Sequence, residues 1–377
     1  IMSEIDRITK ITDRAGTGAP NFTFGVKFAG SDSGINPHTH TEGATEPSSP
    51  NNGDTWWDSD NDIYKVYMNN EWKDWLGTTA AAVWYGDRGI AMGGLSSGFG
   101  NVNTIQYWDM TNSGNASDFG DMTAVTGAGM GVSNGTRGVT GGGNGPLNKI
   151  EYITCATTGN GTDFGDLTQS RGYGGGSSNG ERGLFSGGEN PSASNVIDYI
   201  TIANTGNATD FGDLGTGSRY ASACADSTRA VHAIGNDSSN NNVVDMQYVT
   251  IANTGNATDF GDLQGYYGYT MRTAAASDTT RGLFAGGGAA STVNTISYIT
   301  IQNTGNSTDF GDLLSGRAAP YGASGATYAT FSGGSADSWS MTNTIARVTI
   351  QNTGDATDHG DLTAAGGYGA GFSGAAS

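Results

Sequence analysis

Pairs of aspartates recur along this 377-residue chain with a spacing that metal binding or acid–base chemistry can use. Copies of Asp-Phe-Gly-Asp begin at Asp118, Asp163, Asp210, Asp259 and Asp309, and a sixth copy, with His359 in place of Phe, begins at Asp358. Carboxylates are preferred ligands of hard divalent cations, and two of them flanking a glycosidic bond hydrolyse it. Six equivalent copies nevertheless favour a structural role, so we expect packing and turn chemistry here. A ring of cation-binding carboxylate pairs is the alternative.

Two shorter patterns also resemble metal ligand sets. Asp58, Asp60 and Asp62 have the alternate spacing of a calcium loop, but the later bidentate acid and the turn glycine of such a loop are missing. We therefore predict an acidic hairpin turn. His38 and His40 form a His-x-His pair that can chelate a metal, but two ligands make an incomplete site. We interpret them as solvated residues of a linker.

The remaining histidines and the cysteines suggest no catalytic centre. His232 and His359 interrupt the repeat pattern, and neither has an evident nucleophile or metal partner. Cys155 stands at a core strand position, and Cys224 stands in a strand two repeats away. We therefore predict no disulfide between them. We predict that the protein is not an enzyme and that it binds no cofactor.

The aspartate motifs mark a repeat that returns at intervals of 45 to 50 residues. In the third copy, Asn195–Ile202 is rich in β-branched and aromatic residues, which favours a strand with both faces covered. Asn204-Thr-Gly-Asn207 provides a tight turn before the next strand. Each repeat therefore predicts about four short strands, and six such repeats predict an all-β, six-bladed β-propeller.

A second signature of the repeat is an arginine, a short apolar strand and a glycine doublet, followed by a strand that ends near a tyrosine. The doublets are Gly93-Gly94, Gly141-Gly142, Gly187-Gly188, Gly286-Gly287 and Gly333-Gly334. This signature resembles the kelch repeat over residues 80–377, although the usual kelch tryptophan is absent. The resemblance implies a kelch-like propeller. Within it we expect Asp210 to cap its turn, Phe211 to pack between blades and Gly212 to occupy a left-handed or closely packed position.

Both ends of the repeat region bear on ring closure. The chain enters blade one at its second strand, and Gly366–Ser377 matches the first strand of the other repeats. We predict that this C-terminal strand completes blade one and removes an open edge. Ala80–Tyr85 is the competing candidate for the same position.

The part before the propeller divides into three regions. Residues 1–27 form an N-terminal arm, residues 28–53 an extended polar linker with three prolines, and residues 54–79 a small three-stranded β meander. Gly53-Asp-Thr-Trp56, then Tyr64 and Tyr67, then Glu71-Trp72, resembles a module near the N-terminus of many phage tail-fibre and other virion proteins.

This resemblance implies a bacteriophage virion protein, assembled in the host cytoplasm and carried on the extracellular particle. The arm, residues 1–27, then binds other virion proteins, and the propeller displays loops toward a glycan or protein of the host surface. His-x-His pairs line the trimer axis of some phage fibres. His38 and His40 therefore also suggest a homotrimer. The alternatives are a capsid decoration or other non-adhesive virion component, and a polysaccharide depolymerase.

The charge and hydropathy of the chain exclude several partner classes. A net charge of −19 argues against nucleic acid and against anionic membranes. The sequence has no run apolar enough for a transmembrane helix and no signal-peptide pattern. We therefore expect neither nucleic-acid binding nor membrane insertion.

The repeats differ most in the segments that follow the glycine doublets. These segments are Glu189–Ser194, Asn236–Asn242, Gly288–Val293 and Ser335–Thr342. Specific partners are recognised by residues that packing does not require. We therefore predict ligand contacts from Trp339, Asp337 and Asp237, with Trp339 as a stacking surface for a sugar ring. The alternative is that these segments are merely variable surface loops.

Overall fold

A computed structural model describes residues 40–43, 45–58, 63–68, 71–74, 86–145, 147–264, 271–288 and 291–376. The chain forms two compact units, residues 1–80 and 81–377. The predicted docking arm, residues 1–27, and the competing closing segment, Ala80–Tyr85, lie outside the described residues.

The first unit contains a four-stranded sheet. Its strands, in spatial order, are β1 (His40–Gly43), β2 (Thr55–Asp58), β3 (Ile63–Met68) and β4 (Glu71–Asp74). Strands β2 to β4 pair antiparallel as the predicted meander, whereas β1 pairs parallel with β2. The segment predicted as a linker thus contains a strand. Composition did not indicate this strand, because it pairs with the edge of β2 through backbone groups that do not depend on the side chains.

Aromatic packing and one ion pair hold this sheet together. The ring of Trp72 lies edge-on to Trp56 at 5.8 Å and to Tyr67 at 5.3 Å. The buried carboxylate of Asp58 lies 3.5 Å from Lys65 Nζ, so the ammonium group of Lys65 neutralises it within the hairpin. Asp60, Asp62 and His38 lie outside the described residues.

The second unit is a ring of six β-sheet blades. Blade one contains β5 (Arg88–Ser96), β6 (Asn101–Asp109) and β7 (Ser117–Asp121); blade two contains β8 (Met130–Ser133), β9 (Arg137–Gly143), β10 (Leu147–Thr154) and β11 (Thr162–Asp166); blade three contains β12 (Gly175–Ser178), β13 (Arg182–Ser186), β14 (Ser194–Thr201) and β15 (Thr209–Ser218).

The other three blades follow the same antiparallel order. Blade four contains β16 (Ser222–Ala225), β17 (Arg229–Asn236), β18 (Asn242–Thr250) and β19 (Thr258–Asp262); blade five contains β20 (Ala274–Ser277), β21 (Arg281–Ala285), β22 (Thr295–Thr300) and β23 (Thr308–Asp312); blade six contains β24 (Tyr321–Ser324), β25 (Tyr328–Ser332), a hairpin of β26 (Ser335–Ala336) and β27 (Ser340–Met341) around the 3₁₀ turn Asp337–Trp339, β28 (Thr344–Thr349) and β29 (Thr357–Asp361).

The C-terminal segment closes the ring. Strands β30 (Gly366–Gly367) and β31 (Ala370–Gly374) pair antiparallel with β5 and supply the innermost strand of blade one, as predicted. Strand β31 also contacts β8 of blade two and β24 of blade six, which are the innermost strands on either side. The first and last parts of the propeller are therefore joined by backbone hydrogen bonds.

The hydrophobic core lies between blades. Six clusters of buried side chains each combine residues of two successive blades, including blades six and one. Phe211 of blade three packs with Val249 and Ile251 of blade four, which confirms its predicted position. A buried phenylalanine or isoleucine contributes roughly 1.5–3 kcal/mol relative to an exposed one, so stability accumulates with each blade–blade contact.

The aspartate motif forms the outer strand of each blade, and the next blade covers its edge. In blade two, Gly206 N donates to Phe164 O and Ala208 N donates to Asp166 O, each at 2.8 Å. Asn207 Oδ1 accepts from Asp166 N at 3.1 Å. We call this three-bond contact the outer latch; equivalent bonds occur at all six interfaces.

The outer latch explains the motif glycine and revises the role of the motif aspartate. A Cβ added to Gly212 would lie 2.4 Å from Gly255 O, so the predicted close contact is real. The prediction that Asp210 caps the turn is wrong: Asn256 Oδ1 accepts from Asp213 N at 3.0 Å, and Asp210 lies exposed. The amide of Asn256 can reach the blade edge because it projects from the neighbouring blade.

The glycine doublet has the same register in every blade, but in blade two it is Gly142-Gly143 and not Gly141-Gly142. Gly142 and Gly143 have φ angles of +72° and +158°, whereas Gly141 occupies the strand position of Ser186. A side chain at Gly142 would meet Arg171 O at 2.3 Å. Blade four keeps the turn with Gly235, at φ +71°, followed by buried Asn236.

Candidate functional site

The two faces of the propeller differ in how closely the repeats agree. The segments from second to third strand, and from each outer strand to the next innermost strand, emerge together on what we call the loop face. The turns of the opposite face are uniform, and an arginine there joins each blade to the next. Arg182 stacks on Tyr199 at 4.8 Å and donates to Ile251 O and Ala252 O of blade four, both at 2.9 Å. The loop face is therefore the face on which the repeats differ.

At the centre of the loop face, six equivalent residues precede the innermost strands and have left-handed backbone. They are Ala128, Tyr173, Tyr220, Arg272, Ala319 and Tyr368, with φ angles of +58°, +62°, +57°, +61°, +50° and +60°. We call them the mouth ring. Each such non-glycine residue costs on the order of 1 kcal/mol and persists only where the surroundings hold it.

Backbone hydrogen bonds hold the mouth ring by linking successive blades. Ala128 N donates to Tyr368 O at 2.5 Å, and Tyr173 N donates to Ala128 O at 3.0 Å. Arg272 N donates to Tyr220 O at 3.1 Å, and the chain of bonds returns through Ala319 and Tyr368. Because the bonds run around the whole ring, the backbone positions that carry the mouth side chains are fixed relative to one another.

The mouth ring surrounds a cavity of about 80 Å³. The guanidinium carbon of Arg272 lies 4.1 Å from the ring centre of Tyr220, 5.8 Å from that of Tyr368 and 5.2 Å from that of Trp339. Tyr173 lies edge-on to Tyr220 at 5.0 Å. An arginine held among aromatic rings in this way is stabilised by cation–π contacts.

The site contains hydrogen-bond donors that the protein does not use. Among the described residues, Arg272 Nε has no hydrogen-bond partner and Arg272 Nη1 donates only to the sulfur of Met271, at 3.4 Å. The hydroxyl of Tyr368 is also without a partner, although its side chain is 8% exposed. Burial raises the pKa of Tyr368 to about 12, so the phenol keeps its proton at neutral pH. Such groups are the ones that a ligand can satisfy.

Of the three residues predicted to bind a ligand, Trp339 lies next to this site. Trp339 is 37% exposed and packs edge-on against Phe99 at 6.2 Å, beside Arg272. Asp337 Oδ1 instead accepts from Thr292 N at 2.7 Å and from Thr292 Oγ1 at 2.9 Å. Asp337 thus ties the hairpin of blade six to blade five, and Trp339 is the residue it presents.

The third predicted residue, Asp237, closes its own turn in blade four. Its Oδ1 accepts from Ser239 N and Asn241 N, both at 2.8 Å. These hydrogen bonds, led by that from the Asn241 backbone, lower the pKa of Asp237. Within the described residues it makes no hydrogen bond to the mouth ring, so the structure does not bring it together with Trp339.

The histidines that interrupt the repeat are buried inside the propeller. His232 Nδ1 lies 2.8 Å from Ser186 Oγ, and burial lowers the pKa of His232 to about 4. His359 Nε2 lies 2.6 Å from Asp109 O. Among the described residues, no three His, Cys, Asp or Glu side chains are grouped as a metal site requires. Both cysteines are buried and free.

The innermost strands enclose a second cavity, of about 70 Å³, lined mainly by glycine, alanine and serine. Three of its hydroxyls donate to backbone oxygens: Ser133 Oγ to Ser373 O at 2.6 Å, Ser178 Oγ to Ser133 O at 2.7 Å and Ser277 Oγ to Ala225 O at 2.7 Å. Ser177 Oγ, which also lines this cavity, has no hydrogen-bond partner among the described residues. The three hydrogen bonds join the innermost strands of neighbouring blades.

None of the residues predicted from the sequence to bind a ligand belongs to the mouth ring. Tyr173, Tyr220, Arg272 and Tyr368 are up to 195 residues apart, but each stands at the repeat position that Ala128 occupies in blade two. Aligning the repeats at the segment before the first strand places large side chains there in four of six copies. That departure from small residues is the signal in the sequence.

Comparisons with known proteins identify the fold. No protein-family model and no curated protein sequence matches this chain. The solved structure of YjhT, a kelch-repeat β-propeller protein, is similar with a TM-score of 0.55 and 11% sequence identity, covering 67% of this chain and 88% of YjhT. No helix within the described residues is long and apolar enough to cross a bilayer. The chain thus has the fold of a kelch-type β-propeller, with six blades preceded by a small β-sheet.

Proposed function

We propose that this chain is a bacteriophage virion protein of the tail-fibre or receptor-binding type, and that its loop face attaches the particle to the host surface. The observation that carries the proposal is the contrast between the two faces. The opposite face repeats one arginine contact in every blade, whereas the loop face gathers Arg272, Trp339 and Phe99 at one point. Aromatic side chains with a polar neighbour are a common surface for sugars.

The virion assignment rests on the resemblance of residues 53–72 to the N-terminal module of phage fibres. In this proposal the arm, residues 1–27, binds other virion proteins, and three copies assemble along the particle axis. The net charge of −19 fits this role, because like-charged particles repel one another and stay in solution.

The test is adsorption of particles carrying Trp339→Ala to host cells. Loss of a stacked sugar removes about 1.4 kcal/mol, so we expect adsorption to fall about tenfold. Thr254→Ala changes an exposed turn on the opposite face and is the matched control. Replacing Ser335–Thr342 with the Gly288–Val293 loop should have the same effect with the fold retained. Normal adsorption by particles lacking the protein would contradict the proposal.

A capsid decoration is the second candidate, favoured by the acidic charge and by the uniformity of the opposite face. Copy number distinguishes the two: hundreds of copies on the head indicate a decoration, and a few to some tens at the tail indicate a fibre. A depolymerase is less well supported, because the described residues that line the mouth cavity include no aspartate or glutamate. New reducing ends on purified host polysaccharide would favour it nevertheless.

A further inference from the structure

We propose that the mouth cavity binds the carboxylate of an acidic sugar, with Arg272 as its cationic partner and the hydroxyl of Tyr368 as a further donor. This inference rests on the proposed function, since it names the ligand class that the loop face would recognise. It goes beyond that function by assigning a site and its chemistry.

Arg272 differs from every other described arginine in the hydrogen bonds of its guanidinium group. All the others donate to an oxygen: Arg171 to Asp198, Arg219 to Glu189, Arg317 to Gly333 O and Thr344 O, and Arg88, Arg137, Arg182, Arg229, Arg281 and Arg347 to carbonyls of the next blade. Among the described residues, the guanidinium of Arg272 donates only to the sulfur of Met271. In a chain of net charge −19, its positive charge lies in a cavity whose described lining residues include no aspartate or glutamate.

The shape of the Arg272 guanidinium matches that of a carboxylate. The rings of Tyr220, Trp339 and Tyr368 lie 4.1 to 5.8 Å from the guanidinium carbon of Arg272, and its Nε has no hydrogen-bond partner among the described residues. A guanidinium presents parallel N–H groups that match the two oxygens of a carboxylate, which is why arginine pairs with carboxylates in bidentate fashion. Tyr368 lines the same cavity and adds one neutral donor.

The volume of the mouth cavity also fits such a ligand. A cavity of about 80 Å³ holds the equivalent of several water molecules, enough for a carboxylate and the adjoining edge of a sugar ring but not for a saccharide chain. The exposed rings of Trp339 and Phe99 lie beside Arg272 and offer an apolar surface to the rest of the sugar. Because backbone hydrogen bonds hold Arg272 and Tyr368 in the mouth ring, less of the backbone at the site has to be ordered on binding.

The experiment is titration calorimetry of the purified full chain with oligosaccharides of galacturonate and of glucuronate, each beside its methyl ester and its neutral parent sugar. We expect at least one acidic saccharide to bind at least tenfold more tightly than its ester. Arg272→Gln and Arg272→Lys should each weaken binding at least tenfold, because lysine keeps the charge but lacks the fork. Tyr368→Phe should weaken it severalfold.

Lys149→Gln removes one positive charge elsewhere in the propeller and should leave binding unchanged. Equal affinity for acid and ester, or no binding to any acidic saccharide of the panel, would overturn the inference. Tighter binding of a sulfated saccharide would overturn the choice of carboxylate. If the Arg272 variants do not fold, the wild-type comparison of acid with ester and the Tyr368→Phe variant decide.

The two proposals fail in different ways. If the chain binds no acidic saccharide but still blocks adsorption of particles to host cells, the ligand class is wrong and the attachment function stands. If an acidic saccharide binds at Arg272 but particles without the protein adsorb normally, the site stands and the attachment function is wrong.

Discussion

At the residue scale, an arginine and a tyrosine exchange places in blade six without losing their contact. In blade five, Arg281 of the second strand stacks on Tyr298 of the third, at 4.3 Å. In blade six, Tyr328 is on the second strand and Arg347 on the third, at 4.5 Å. Arg347 still reaches the next blade, donating to Thr111 O at 2.8 Å. The packing therefore requires the pair and its interblade hydrogen bond, not a particular residue at either position.

The buried histidine of blade four makes the stability of the propeller depend on pH. His232 takes the strand position of Phe284, and Ser186 takes the position of Ala233 in the blade before it. The folded pKa of His232 is about 4, whereas the unfolded chain takes up the proton near the ordinary value of 6.5. The unfolded state binds more protons between these values, so the free energy of unfolding falls as pH drops from 6.5 to 4, by about 3 kcal/mol in total.

We predict that the double variant His232→Phe with Ser186→Ala loses this component of acid sensitivity, because it reproduces the Ala233–Phe284 pair. Denaturant unfolding of variant and wild type at pH 7 and pH 4.5 measures it. The difference in unfolding free energy between the two pH values should be about 2–3 kcal/mol smaller in the variant. Carboxylates and His359 titrate in both proteins, so their contributions to the difference in unfolding free energy cancel. An identical pH difference would contradict the burial argument.

At the scale of the element, the outer strand of each blade is an edge that the next blade covers. The outer latch places the Asn-Thr-Gly-Asn turn against that edge, so the turn and the motif act together although they belong to different blades. This explains why the two segments are the most alike among the repeats. Exposed strand edges favour unwanted pairing with other chains, and the latch removes six of them.

We predict that Gly212→Ala opens the latch between blades three and four. The added Cβ would lie 2.4 Å from Gly255 O, and the φ angle of +141° is one that alanine rarely adopts. A loss of roughly 1–3 kcal/mol follows from strain at such a position. Gly159→Ala is the matched control, because a Cβ there meets nothing within 4 Å. The thermal midpoint should fall for Gly212→Ala alone; equal midpoints would show that the latch tolerates a side chain.

At the scale of the whole molecule, stability depends on joining the first blade to the last. Phe372 and Ala370 of β31 are buried in the cluster shared by blades one and two, and β31 also contacts blade six. The mouth ring closes through the same segment, since Tyr368 O accepts from Ala128 N. Fold and candidate site therefore share one closing element.

We predict that deletion of residues 366–377 causes aggregation or a clear loss of thermal stability, because β5 is left with an open edge and the neighbouring apolar faces are exposed. Phe372→Ala, a smaller change in the same strand, should cost about 3–5 kcal/mol. Melting curves and size-exclusion profiles of the two variants measure the effect. Wild-type melting of the deletion would mean that another segment, such as Ala80–Tyr85, takes the position of β31.

The sequence by itself determined the features that recur in every repeat: the blades, the position of Phe211 between them, the close contact at Gly212 and the closing strand near Phe372. These follow from local patterns, because each blade presents the same surfaces to its neighbours. The mouth ring, the contact of Asp337 with Thr292 and the pairing of His40–Gly43 with β2 were decided only by the tertiary structure. Each of these contacts joins residues that are far apart in sequence. They come together only when the ring closes or when a strand docks on an edge, and no local pattern in the sequence predicts that.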